Sequence, residues 1–467
     1  IQNLNFNLLF FLLIHSINMS SGYTTHQEIV PSNITSDGSL SYANGQPTVQ
    51  FLLGEQERFI VPGSVRFVGE FNVYKKVGGA GAGITPLPAD DIRINELLGV
   101  NAVIDQLNIF SQKTGQTIES INHWNRMMSS YLSVTQSQQD FGGHSYDQCL
   151  RYPNSQFHNL GVITNAQAAN ASGGLSPNTF CIPLVSGLFL GQEPIPLSGT
   201  WGVGGLRIEI QLAPDSNVLF SGTNVDTTLL EAYYQLTNCR LICETRIPPV
   251  DQLSQLTSNT TNTFVYNSIT SFYQTINSTN ATLNFNLALS KVLGVFCNVV
   301  PAGHINNLVR DGLATLPFTN ATGAMAKVRQ LVFTRGGERF PLQYNVDTLQ
   351  KTDLANEIVD AQLVRNYMDS VLAFAKLGRT SVTPANFRYT PMTNNFVQAK
   401  EFIQGGSQFG VGVCYDSISD QGVDFSTVPF GIQMELDLTT DSPNSIFLFV
   451  HSKQTVLSTS NGIQVLK

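Results

Sequence analysis

The chain has 467 residues, a length for two to four domains at about 100–200 residues each. Only 12% of residues are charged while 42% are hydrophobic. An ordinary soluble domain has about 25% charged residues, so this chain is polar but uncharged, and it is too apolar to be disordered. The formal net charge of −8 excludes the basic surface of a nucleic-acid binder and a polybasic membrane-surface protein. Low charge density suits a surface covered by further copies of itself, because charges are depleted at interface cores.

From the N-terminus, Phe6 to Ile14 is an apolar run. It is shorter than the ~20 residues of a membrane span, and it lacks the positive n-region of a signal peptide. Residues 1–18 read either as sequence upstream of a start at Met19, or as an arm that is buried or touches a membrane. Val65, Phe67, Phe71 and Val73 then alternate with Arg66, Glu70 and Asn72, the period of a half-buried strand. The glycine-rich stretch Gly78–Gly83 leads into Ile84-Thr85-Pro86-Leu87-Pro88. A phosphate-binding loop needs a helix there, so the stretch reads as a surface loop.

A weak helix is predicted over Thr117 to Leu132, with Ile121, Trp124, Met128 and Tyr131 on one side. Gly143-His144-Ser145-Tyr146-Asp147 looks like a hydrolase nucleophile elbow. It lacks the final glycine and the strand–turn–helix context that the elbow requires, and it reads as a polar loop. Leu206, Ile208, Ile210 and Leu212 form a second alternating strand. Cys239 and Cys243 share one face of a strand-like run, where they do not face each other for a bridge. The pair Pro248-Pro249 ends that block, since consecutive prolines cannot continue a central strand, and the polar stretch Asp251 to Asn262 reads as a seam.

The second half repeats this layout. Leu283, Phe285, Leu287 and Leu289 alternate, as do Ile432, Met434, Leu436 and Leu438. Ile446 to Val450 is apolar throughout, as in a strand covered on both faces. Arg335-Gly336-Gly337-Glu338-Arg339-Phe340-Pro341 is the densest charge cluster, read either as an inter-subunit contact or as an exposed hairpin tip with Arg and Glu paired. A clear helix is predicted from about Leu354 to Leu377, with Glu357 in its first turn, Lys376 in its last and Gly378 beyond, as the dipole and the C-cap prefer. The two helices begin about half a chain apart. Strand blocks 48–76 and 264–346 precede them, and blocks 181–247 and 401–457 follow. The fold class is therefore all-β, two tandem sandwiches, each with one helix in an inter-strand excursion.

Chemistry is sparse. Seven histidines (His15, His26, His123, His144, His158, His304, His451) include no pair at i, i+4, so no helical zinc motif exists. Six cysteines (Cys149, Cys181, Cys239, Cys243, Cys297, Cys414) are spread without metal spacing and read as reduced thiols of an intracellular compartment. No catalytic, cofactor-binding or metal-binding residue is assigned, no cofactor is expected, and the chain is read as a non-enzyme. Seven N-x-S/T sequons, at Asn18, Asn33, Asn170, Asn259, Asn277, Asn280 and Asn320, keep a secreted or surface β-sandwich glycoprotein open as an alternative. A viral penton or minor capsid protein and a carbohydrate-active β-sandwich enzyme are the other two.

Several segments, taken in order, resemble the double jelly-roll major capsid proteins, especially those of polinton-like viruses and their relatives among virophages, adenovirus hexons and tailless phages. They are Ile60–Phe67, Gly115–Glu119, Ile195–Leu197, Gly204–Ile210, Gly336–Pro341, Leu448–His451 and Asn461–Val465. The likeness spans residues 28–467. It implies an N-terminal arm over 1–27, a first jelly roll over 28–248 and a second over 249–467. It also implies a homotrimer of pseudo-hexagonal outline that tiles an icosahedral shell around a double-stranded DNA genome. Its partners would be itself, neighbouring capsomers, and penton and minor or cement capsid proteins, with no sequence-specific nucleic acid. The arm 1–27 is the candidate for contact with an inner membrane, and the long loops 135–180 and 301–327 for the outer face or trimer contacts. The resemblance implies a virion protein assembled inside an infected cell.

Overall fold

The alternating runs form strands, because one face of each can be buried while the other stays wet. In the computed structural model the first half holds β1 (Thr24–Ile29), β2 (Thr48–Leu53), β3 (Phe59–Ile60), β4 (Arg66–Lys76), β5 (Gly83–Ile84), β6 (Ile92–Ile94), β7 (Ile104–Ser111), β8 (Thr117–Asn122), β9 (Val162–Ile163), β10 (Thr179–Pro183), β11 (Ile195–Pro196), β12 (Leu206–Leu212), β13 (Leu219–Ser221) and β14 (Ala232–Arg246). The second half holds β15 (Thr261–Ile276), β16 (Asn280–Phe285), β17 (Val292–Pro301), β18 (Lys327–Arg335), β19 (Glu338–Arg339), β20 (Val346–Asp347), β21 (Val411–Cys414), β22 (Phe430–Asp437), β23 (Asn444–Thr459) and β24 (Gly462–Leu466). Among the described residues these α-helices accompany them: α1 (Trp124–Thr135), α2 (Gly187–Leu190), α3 (Asp215–Val218) and α4 (Val250–Ser258). The structure describes residues 24–33, 39–76, 83–84, 92–95, 98–135, 162–163, 179–191, 193–221, 232–308, 312–313, 327–342, 346–347, 369, 372–373, 411–415, 422–437, 443–459 and 462–467.

The first half makes a seven-stranded sheet, β10-β4-β14-β3-β11 with β1 on β14 and β5 on β4, and a four-stranded sheet, β2-β12-β7-β8. A small sheet, β13-β6-β9, stands beside them. The second half makes two five-stranded sheets, β15-β23-β17-β21 with β24 on β23, and β16-β22-β18-β19 with β20 on β18. Beside hairpin pairs such as β7–β8 and β18–β19, most neighbours are distant in sequence, as β4–β14, β2–β12, β15–β23 and β16–β22 are, in the manner of jelly rolls. Phe51 of β2 meets Phe67 of β4 edge-on at 6.0 Å, between the two large sheets of the first half. Phe272 of β15 meets Phe285 of β16 at 6.2 Å in the second. Leu206, Ile208, Ile210 and Leu212 of β12 are all buried while Arg207, Glu209 and Gln211 between them are half-buried.

Several expectations change in detail. The helix expected from Thr117 begins only at Trp124, because Thr117–Asn122 pairs with β7 as β8. Ile109 lies opposite Glu119 and Phe110 opposite Thr117, so Ile118 is the extra residue of a bulge. The bulge turns both Ile118 and Ile121 inward, and a pair of apolar residues three apart imitates helical spacing. The strand expected over Leu283–Leu289 ends at Phe285; Ala288 takes a φ of 52°, and Leu287 and Leu289 are buried from irregular backbone. The polar stretch after Pro249 contains α4. The expected helix over 354–377 lies outside the described residues except for Asp369, Leu372 and Ala373, which are helical. Loops 135–180 and 301–327 lie largely outside them too. Every residue of β23 from Asn444 to Ser452 is buried, as the all-apolar run requires.

Candidate functional site, the seam between the sandwiches

The sequence candidates do not converge. Gly83 and Ile84 pair with Lys76 and Lys75, so the glycine-rich stretch joins two antiparallel strands. Gly143–Asp147, with His144, and also His158 and Cys149, lie outside the described residues. His26 is exposed on β1, His123 half-buried after β8, and His304 and His451 buried in the second half. Among the described residues no three His, Cys, Asp or Glu side chains cluster as metal ligands, and no helix is long and apolar enough to cross a membrane. Cys181, Cys239, Cys243, Cys297 and Cys414 form no disulfide. The Arg335–Pro341 cluster caps the β18–β19 hairpin, where Gly336 and Gly337 take φ of 61° and 91°, a backbone that glycine adopts without penalty. Arg335 lies opposite Glu338, but its guanidinium donates from Nε and Nη2 to Asp424 O at 3.3 and 3.0 Å and lies over the Phe425 ring.

Polar side chains converge instead where the two halves meet. β8 and β15 are edge strands of their sheets, and side chains rather than a ladder join them. Glu119 on β8 is 2% exposed. Its Oε1 accepts from the backbone N–H of Gly187 at 3.0 Å and of Ile269 at 2.6 Å, and its Oε2 accepts from that of Leu188 at 3.0 Å. One carboxyl group thus fastens β8, the start of α2 and the free edge of β15, which answers the unpaired donors of an edge strand. Ser186 caps α2 by accepting from Phe189 N. A Cβ on Gly187 would lie 2.7 Å from the backbone of Asn267 and Ser268, so only glycine permits this approach.

Around that centre, the Tyr266 hydroxyl lies 2.7 Å from Ile118 O and 2.9 Å from Gln454 Oε1. Asn122 N donates to Ser271 Oγ at 2.8 Å. Helix α1 is held from both sides. Trp124 Nε1 donates to Val185 O at 2.7 Å, and Asn298 Nδ2 from β17 donates to Arg126 O and Ser130 Oγ, both at 2.8 Å. Arg126 stacks its guanidinium 4.5 Å from the Phe447 ring centre and donates to Gly312 O at 2.7 Å. His123 meets the same ring edge-on at 5.0 Å and places Nδ1 3.5 Å from Asp105. These bonds explain why β23 is apolar on both faces: one faces its own sandwich, the other α1.

Burial pushes the Glu119 carboxyl up to about 7, against the pull of the N–H groups of Ile269, Leu188 and Gly187 and of Ser186, which favour the charged form. Burial also raises Tyr266, with a smaller contribution from the Glu119 charge. Sequence reasoning did not single out Glu119. Its one signal is an acidic residue between Ile118 and Ile121 in a strand-forming run.

The outward surface is of another kind. Helix α4 has no buried residue, and its Val250 is 81% exposed. Val30 and Leu342 also stand in solvent. Among the described residues the geometry offers two sandwiches fixed side by side.

That arrangement is the double jelly-roll fold of viral major capsid proteins. Among solved structures, the Faustovirus major capsid protein aligns with a TM-score of 0.57 at 10% identity, over 94% of this chain and 91% of its own. The PBCV-1 virus capsid protein gives 0.56 at 10% identity, over 96% and 97%. The cryo-EM structure of the Sputnik virophage gives 0.54 at 12%, over 96% and 89%. No protein-family profile matches the chain, and no curated protein matches it by sequence.

Proposed function

We propose that the chain is the major capsid protein of a DNA virus, which self-assembles as pseudo-hexagonal trimers that tile an icosahedral shell around a double-stranded DNA genome. The observation that carries this is the end-to-end likeness: 96% of the chain aligns with 97% of the PBCV-1 capsid protein, so both sandwiches and their order are shared. In this reading residues 28–248 and 249–467 form the two upright jelly rolls, and the first begins no later than Thr24 rather than at 28, because Thr24–Ile29 pairs with β14. Three chains of two sandwiches each give six similar walls, the outline of a hexagon. The low charge fits walls covered by sister chains, and the reading assigns no catalytic role. Penton and minor capsid proteins are the further partners.

Light scattering of the purified 51.0 kDa chain tests the assembly directly. The expected species is a stable trimer at three times that mass, and electron microscopy of concentrated material is expected to show hexagonal arrays. A strictly monomeric chain at all concentrations would overturn the reading.

A further inference from the structure

We propose that the seam between the two sandwiches is a proton-linked joint: Glu119 takes up a proton from solvent as the halves close around it and returns it when they separate. The geometry carries the argument. Donors from α2 and β15 converge on one carboxyl group of β8 that is 2% exposed, and among the described residues no ion pair reaches it. Closing the seam strips water from the carboxyl and brings no compensating cation, which favours the neutral acid and outweighs the pull of the converging N–H groups toward the carboxylate.

The ionisable groups on the packed elements leave this balance to Glu119. On β15, the Tyr266 hydroxyl bonds Ile118 O and Gln454, and Tyr273 lies farther along against Phe447 and Ser445. Helix α2 carries none. On β7, Asp105 meets His123; on α1, Arg126 is turned to Gly312 O and Phe447. On β23, His451 and Lys453 lie opposite Ile269 and Asn267 in the ladder.

The sign follows from linkage. The folded-state value of about 7 lies above the ordinary 4.5, so between those values the folded chain holds a proton that the unfolded chain has released. The seam is then strongest below this window and weakens as pH rises through it, levelling off above about 7.

The test is urea unfolding of the full chain from pH 5 to pH 8.5, wild type beside Glu119→Gln, which keeps the shape but binds no proton. The wild-type unfolding constant, divided by that of the variant, is expected to rise by up to about tenfold per pH unit within the window and then flatten. A ratio independent of pH overturns the proposal. Should the variant not fold, hydrogen exchange of the wild type gives the same decision. Protection of the peptides spanning 185–190 and 265–271, corrected for intrinsic rates and compared with β22, is expected to fall as pH is raised. Constant relative protection would sink the idea. Neither readout depends on whether the chain builds a shell.

Discussion

Gly187 and Glu119 act together at the seam: the absent side chain lets α2 reach the backbone of β15, and the carboxyl fills the bonds that this approach creates. Gly187→Ala forces a Cβ to 2.7 Å from Asn267 and Ser268 backbone atoms. Overpacking of that kind costs about 1–3 kcal/mol, and the urea midpoint of the variant is expected to fall accordingly. An unchanged midpoint would mean that the seam tolerates separation. The thiols give a second residue-scale expectation. Burial pushes Cys239 up to about 12 and Cys243 up to about 11, and raises Cys297 as well. Since the thiolate is the reactive form, native alkylation followed by peptide mapping is expected to label the half-buried Cys181 and Cys414 well before those three. Equal labelling would show that the cores open freely.

At the scale of elements, β12 and α4 are opposite cases. Ile208 is fully buried in the middle of β12, and Ile208→Ala is expected to cost about 2–5 kcal/mol in chemical denaturation. Val250 opens α4 and is 81% exposed, so Val250→Ser is expected to move stability by no more than about 0.5 kcal/mol. A large loss there would mean that α4 is covered by another part of the assembly. The strands were legible because period-2 burial writes itself into composition: Leu206, Ile208, Ile210 and Leu212 against Arg207, Glu209 and Gln211. The boundary at Trp124 was not, because the bulge at Ile118 borrowed the spacing of a helix. Nor was α4, a polar helix with nothing buried against which a pattern could form.

For the whole molecule, the seam couples the halves. Helix α1 belongs to the first half by sequence, yet Asn298 and Phe447 of the second half hold its polar and cationic groups. Opening either sandwich therefore exposes the other's contacts. Calorimetry of the full chain is expected to give one cooperative transition rather than two, and two well-separated peaks would contradict a shared core.

The sequence by itself determined that the chain is all-β, that it is laid out twice, and that its surface carries little charge, because alternation and composition are local properties of the polymer. Only the tertiary structure decided which edges meet and that Glu119 is the group between them. A carboxylate's role depends on the water removed from it and on N–H groups supplied by residues 68 and 150 positions away, and neither quantity is written in its neighbours along the chain.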